Sequence, residues 1–277
     1  MTEYREILVA ASDRVTTITL NRPARLNAWT ALMADELRGA VTDAGNDPET
    51  RVIVITGAGR GFCAGADMDR LTGALGEDGA EALFPQSAPP VDAPGPDLGA
   101  AYPGRFGYFY SCPKPIIAAI NGPCAGIGLI MTLYADLRFA ADDAKFTTAF
   151  AARGLIAEHG VAWLLPRLVG EANALDLMLT ARKFDGAEAV RLGLVNHALP
   201  GSGLAAHVAG VARVLAHDVS PRSVAVMKAQ IRASYHQSFA QSLEMADAEM
   251  VKSFQAFDFR EGVQSFVERR PAAFEGR

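Results

Sequence analysis

The stretch "GLIAEHGVAW", residues 154–163, sets one carboxylate, Glu158, and one imidazole, His159, among residues suited to packing. A positioned carboxylate can take a proton from a reacting group and return it, and a neighbouring imidazole can orient it. The competing explanation is structural: an acid near the first turn of a helix favours the dipole. Which explanation holds depends on what else the chain brings to the same place.

Two other stretches have chemical potential of a different kind. "GAGRGFCAGAD" (57–67) and "NGPCAGIG" (121–128) are glycine-rich and each follows an apolar run. Neither ends in the Gly-Lys-Ser/Thr of a P-loop, and neither has the spacing of a dinucleotide fingerprint. Such loops can expose main-chain N–H groups at a helix start, where they bind developing negative charge. Two of them side by side could hold an oxyanion; each alone could equally be a tight turn with no ligand.

The elements that must position these residues are legible in the patterning. "EILVAASDRVTTITLN" predicts two strands around the turn "SDR", with Val15, Ile18 and Leu20 separated by threonines. Thr30 predicts an N-cap for a helix in which Leu32, Met33, Leu37 and Val41 recur near helical spacing. "RVIVITG" and "PIIAAING" read as buried strands ending in glycine. "LRFAADDAKFTTA" predicts two short strands, "VAWLLPRLVG" a helix limited or kinked by Pro166, and "LVNHAL" a further strand. Strand–loop–helix units recur, so the expected class is α/β. Beyond about residue 205 the pattern becomes helical, with Pro221 at a helix start. The expected division is 1–205 as core and 206–277 as a helical region. Residues 84–105 are rich in proline and glycine without periodicity, and a segment of that length inside a domain predicts a lid or binding loop.

Bulk properties narrow the classes. The chain has 277 residues, half of them hydrophobic, with both charge signs interspersed, which is the composition of a globular protein. A net charge of −5 argues against a general nucleic-acid binder. Cys63, Cys112 and Cys124 have neither disulfide nor metal-ligand spacing and read as packing thiols. No signal-peptide pattern and no membrane-spanning run is visible, so a cytoplasmic protein without membrane partners is expected.

Four segments in order, "NRPARLNAW", "GAGRGFCAGADM", "NGPCAGIGL" and "EGVQSFVERRPAAF", resemble the crotonase (enoyl-CoA hydratase/isomerase) superfamily over nearly the whole chain. The resemblance implies a ClpP/crotonase-like spiral of ββα units with a C-terminal helical region, assembled as a homotrimer or a dimer of trimers. It implies an acyl-CoA thioester substrate, with coenzyme A part of that substrate and neither metal nor separate cofactor. The thioester oxygen would rest on the N–H groups of Ala66 and Ile127. Arg25, Leu26, Ala64, Asp67, Met68, Phe266 and Arg269 would lie along the CoA ester.

Hydratases of this superfamily carry two catalytic glutamates, at positions that here fall on Ile130 and Phe150. Neither side chain can hold or activate water, so both are expected as pocket lining, desolvating the site. The superfamily's Δ3,Δ2-enoyl-CoA isomerases are similar in having one acid eight residues further on, in a motif like "GLIAEHG", and Glu158 takes its place. His159 is expected to line the pocket beside it. The implied reaction is isomerisation of a 3-enoyl-CoA to a 2-enoyl-CoA through a dienolate, with Glu158 as the single acid/base. Hydration by Glu158, other thioester-enolate chemistry and a non-catalytic acyl-CoA-binding role remain as alternatives, because the fold does not fix the reaction.

Overall fold

A computed structural model describes residues 4–67 and 101–277. The chain opens with a hairpin of β1 (Ile7–Ser12) and β2 (Val15–Leu20), paired antiparallel from Ile7↔Leu20 to Ser12↔Val15. Its two-residue turn places both Asp13 and Arg14 at positive φ, 50° and 63°, the geometry that matches the twist of the flanking strands. β3 (Val52–Gly57), β4 (Ile116–Ile120), β6 (Leu137–Ala141) and β8 (His197–Leu199) then add in parallel, giving the order β1-β2-β3-β4-β6-β8.

β3 and β4 are apolar except for Thr56 because both sheet faces are covered. Ile53, Ile55, Ile116 and Ala118 face the main core, which includes Met33, Leu37 and Val41 of α1 (Ala31–Asn46). The alternate residues Val52, Val54, Ile117 and Ala119 pack instead with Leu204, Val208 and Ala212 of α7 (Gly201–Arg213). Position 205/206, the expected division of the chain, therefore falls inside a helix that covers the sheet.

The connections build the remaining layer. α2 (Tyr108–Ser111) precedes β4, and α3 (Ile127–Tyr134) joins it to β6. A two-stranded parallel sheet pairs β5 (Cys124–Ala125) with β7 (Phe146–Thr147), and isolated bridges Trp29↔Ala66 and Cys63↔Cys124 stand beside it. α4 (Val161–Val169) contains Pro166 and runs one turn past it, and Gly170, at φ 78°, separates it from α5 (Glu171–Thr180). α6 (Gly186–Arg191) leads to β8. Beyond α7 come α8 (Pro221–Ala233), α9 (Phe239–Gln255) and α10 (Phe257–Glu268). The cap foreseen from sequence is present, Thr30 accepting from Met33 N–H, and the helix that Pro221 begins is capped by Ser220, which accepts from Ser223 N–H.

The aromatic run 106–110 belongs to the core, with Phe106, Tyr108, Phe109 and Tyr110 all buried. The three cysteines are free and buried; burial raises the Cys63 thiol to about 12, so it is a neutral packing group. Asp136 is structural as well: it accepts from Ile116 N–H at 2.8 Å and pairs with Lys228 and Arg232 of α8 at 2.8 and 3.3 Å. Among the described residues no helix is long and apolar enough to cross a membrane. Residues 84–100 of the expected loop lie outside the described residues.

Candidate active site

The two glycine-rich segments leave the C-terminal ends of adjacent parallel strands, β3 and β4, and are stitched together from there. Asn121 closes the strand ends, accepting from Gly57 N–H at 3.1 Å and donating to the carbonyls of Gly57 and Gly59 at 2.9 and 3.0 Å. Asn27, fully buried, donates to Ala58 and Gly61 carbonyls at 3.0 and 2.8 Å and accepts from Arg22 N–H at 2.8 Å. Phe62 and Cys63 N–H donate to the Pro123 carbonyl, and Ala125 N–H donates to that of Cys63. Gly128 must lack a side chain, since a Cβ there would stand 2.5 Å from the Cys63 carbonyl oxygen. This contact seats α3 against the first loop.

Two N–H groups emerge from that arrangement. Trp29 N–H donates to the Gly65 carbonyl and Asp67 N–H to that of Trp29, so strand alternation turns the intervening Ala66 N–H the other way. Gly65 holds φ at +107° to make this turn. Gly126, at φ 50° and ψ −123°, aims the chain into α3, and Ile127 is that helix's first residue, where an N–H has no intrahelical acceptor. Among the described residues neither N–H donates to an internal acceptor. The loops are in close apposition: a Cβ built on Gly126 lies 3.9 Å from Gly65 Cα.

Glu158 approaches from a third segment. α4 starts at Val161 and its first turn contains no acid, so Glu158 lies outside the helix, two residues before the Gly160 N-cap. Its carbonyl accepts from Val161 N–H at 3.1 Å, while its side chain, 31% exposed, stands with its Oε2 3.4 Å from His159 Nε2. Two successive positive φ angles, 50° at His159 and 76° at Gly160, make the turn. Tyr134 holds it by donating its hydroxyl to the His159 carbonyl at 2.9 Å. Burial raises the Tyr134 phenol to about 12, so it stays a neutral donor. The His159 ring meets Phe106 edge-on, centroids 6.2 Å apart.

These parts line one cavity of about 300 Å³. Of the residues anticipated from sequence, Arg25, Ala64, Ala66, Asp67, Ile127, Phe150, Glu158 and His159 line it. Asp67 is also buried and held by Arg22 at 2.7 Å, which gives its carboxylate a structural partner. Ile130 does not line the cavity, correcting the expectation: it is fully buried in the core, because the cavity reaches only the first turn of α3. Leu26 stands behind the wall, its carbonyl accepting from Ala64 N–H at 3.0 Å. Phe266, 85% exposed, and Arg269, at the end of α10, are likewise not part of the lining. Met68 lies outside the described residues.

Trp29, Arg105, Thr148, Arg153 and Leu155 also line the cavity and were not anticipated. Trp29 was within a quoted motif, and its bridge to Ala66 is what brings it there. Arg105 closes the Pro/Gly-rich run, immediately before the buried Phe106. A cationic residue at the junction of loop and core was the available signal.

Residues 10–86 and 101–277 match the enoyl-CoA hydratase/isomerase family. The chain belongs to that family. It is 38% identical over 274 residues to a probable enoyl-CoA hydratase of Rhodobacter capsulatus, covering 99% of each chain. It is 32% identical over 276 residues to 1,2-epoxyphenylacetyl-CoA isomerase of Escherichia coli, covering 98% of each. Among solved structures, a putative enoyl-CoA hydratase from Streptomyces coelicolor superposes with a TM-score of 0.86 at 31% identity, over 100% of this chain and 96% of that one. The family membership supports the crotonase fold and an acyl-CoA-processing role.

Proposed function

We propose that this family member moves a double bond in an enoyl-CoA thioester, converting a 3-enoyl-CoA to a 2-enoyl-CoA with Glu158 as its single acid/base. The observation that carries the reading is the cavity's acid content. Among the described lining residues the carboxylates are Glu158 and Asp67, and Asp67 is paired with Arg22. Phe150, where a hydratase would carry one of its two glutamates, presents an aromatic wall.

In this reading ionised Glu158 removes a proton from C2. The C–H electrons form a C1–C2 double bond, and the thioester oxygen takes the negative charge. Ala66 and Ile127 N–H donate to that oxygen, each contributing roughly 3 kcal/mol at the transition state. The carbonyl then re-forms, the C3–C4 double bond shifts to C2–C3, and Glu158 returns its proton to C4. Atoms and electrons balance without a cofactor. Arg25, at the cavity rim, is suited to the anionic part of CoA. The exposed apolar residues of α9 and α10, Phe239, Val251, Phe254 and Phe266 among them, support burial against further copies of the chain as a trimer or dimer of trimers.

The test supplies 3-enoyl-CoA and 2-enoyl-CoA separately. A 2-enoyl product from the first substrate supports the reading, and its loss in Glu158→Gln assigns the base. A 3-hydroxyacyl product from the second, with no isomerisation, would replace it with hydration. Tight CoA-ester binding with neither product would leave a binding protein.

A further inference from the structure

The Glu158–His159 pair has a geometry that adjacent residues seldom reach. Side chains of neighbours in an extended chain point to opposite sides, yet here Nε2 and Oε2 stand 3.4 Å apart. The left-handed backbone of His159, φ 50°, turns the imidazole back toward the preceding side chain. A non-glycine residue in that region costs roughly 1–2 kcal/mol, and surrounding structure must hold it there. Three contacts do so: Tyr134 hydroxyl to the His159 carbonyl, Val161 N–H to the Glu158 carbonyl, and Phe106 against the ring. Gly160 has no freedom to relax by gaining a side chain, since a Cβ would lie 2.8 Å from the Tyr134 hydroxyl oxygen.

Resting on the acid/base reading above, we propose that His159 is a positioning residue: its Nε2–H, drawn to hydrogen-bond distance when substrate fills the cavity, fixes the Glu158 carboxylate by Oε2 and leaves Oε1 as the oxygen that exchanges protons with the acyl chain. Hydrogen bonds to catalytic groups often tighten when substrate binds. The chemical consequence concerns where the proton resides between its two transfers. With Oε2 engaged as an acceptor, the proton taken from C2 sits on Oε1, facing C4. The imidazole side chain is only 10% exposed, against 31% for that of Glu158. Loss of that donor weakens the hold on the carboxyl group and favours exchange of its proton with solvent before return.

The experiment uses the full chain and 3-enoyl-CoA deuterated at C2, in ordinary water. The wild-type protein should deliver much of the label to C4. His159→Phe keeps a ring against Phe106 and removes the donor; label at C4 should fall at least threefold and kcat at least tenfold, with KM within twofold. His159→Gln restores a donor and should recover both in part. Unchanged retention and kcat in His159→Phe would overturn the proposal. So would a loss that Gln does not recover while the melting temperature falls equally in both variants, which marks a packing role. A second readout, exchange of C2 hydrogens of a saturated acyl-CoA in deuterium oxide, needs the base but no double bond. Wild-type exchange without isomerisation would discard the isomerase reading and still compare the His159 variants. Exchange that is identical in wild type and His159→Phe would discard the positioning role alone.

Discussion

The cavity has two walls built on opposite principles. One is main chain: Gly65–Ala66 and Gly126–Ile127, whose N–H groups are aimed by glycine dihedrals and by the pairing of the two loops. The other is side chain: Glu158 and His159, hung on a left-handed turn that Tyr134 holds. A main-chain wall is indifferent to side-chain identity so long as the backbone keeps its path. A side-chain wall depends on the chemical group itself and on what orients it.

The largest effect should come from the side-chain wall. On the proposed mechanism Glu158→Gln preserves shape and removes the base, and kcat for double-bond movement should fall by about 10³, within the range for a lost general base; steady-state kinetics with unchanged CoA-ester affinity checks it. The main-chain wall breaks only through its backbone. Gly65→Ala forces a Cβ onto φ +107° and should misplace Ala66 N–H, lowering kcat by about 10², the scale of one lost oxyanion donor. Tyr134→Phe loosens the turn under His159 without touching the cavity chemistry. It should destabilise the protein by about 1 kcal/mol, one net hydrogen bond, and lower kcat several-fold; thermal melts and kinetics together read it. The smallest kinetic effect should come from Ile127→Ala, which keeps its N–H. Its kcat should stay within threefold while stability falls by about 2 kcal/mol for the lost buried side chain. A large kcat loss here would show that the main-chain wall depends on side chains after all.

The same division describes how far the sequence could be read. The glycine loops, the Thr30 cap and the strand runs were visible because each is a local rule: a dihedral only glycine tolerates, an orphan N–H that needs an oxygen, a buried strand between two covered faces. Ile130 was misjudged because position on a helix does not say how deep a cavity reaches, and this one stops at the first turn of α3. Trp29, Arg105 and Arg153 were missed because nothing local marks a residue whose role comes from a long-range contact, as Trp29 gains through its bridge to Ala66. For Glu158 the sequence left the helix boundary open, and the structure puts it three residues on, where α4 begins at Val161.

By itself, then, the sequence determined an α/β chain, two glycine turns after apolar strands, and a lone acid in a segment resembling a known motif. These follow from short-range sterics and hydrogen bonding, which the order of residues encodes directly. Only the tertiary structure decided that the N–H groups at Ala66 and Ile127, the carboxylate at Glu158 and the imidazole at His159 share one cavity. That convergence comes from the parallel register of β3 and β4 and from the packing of Tyr134 and Phe106 beneath the 158–160 turn, contacts between segments far apart in the chain.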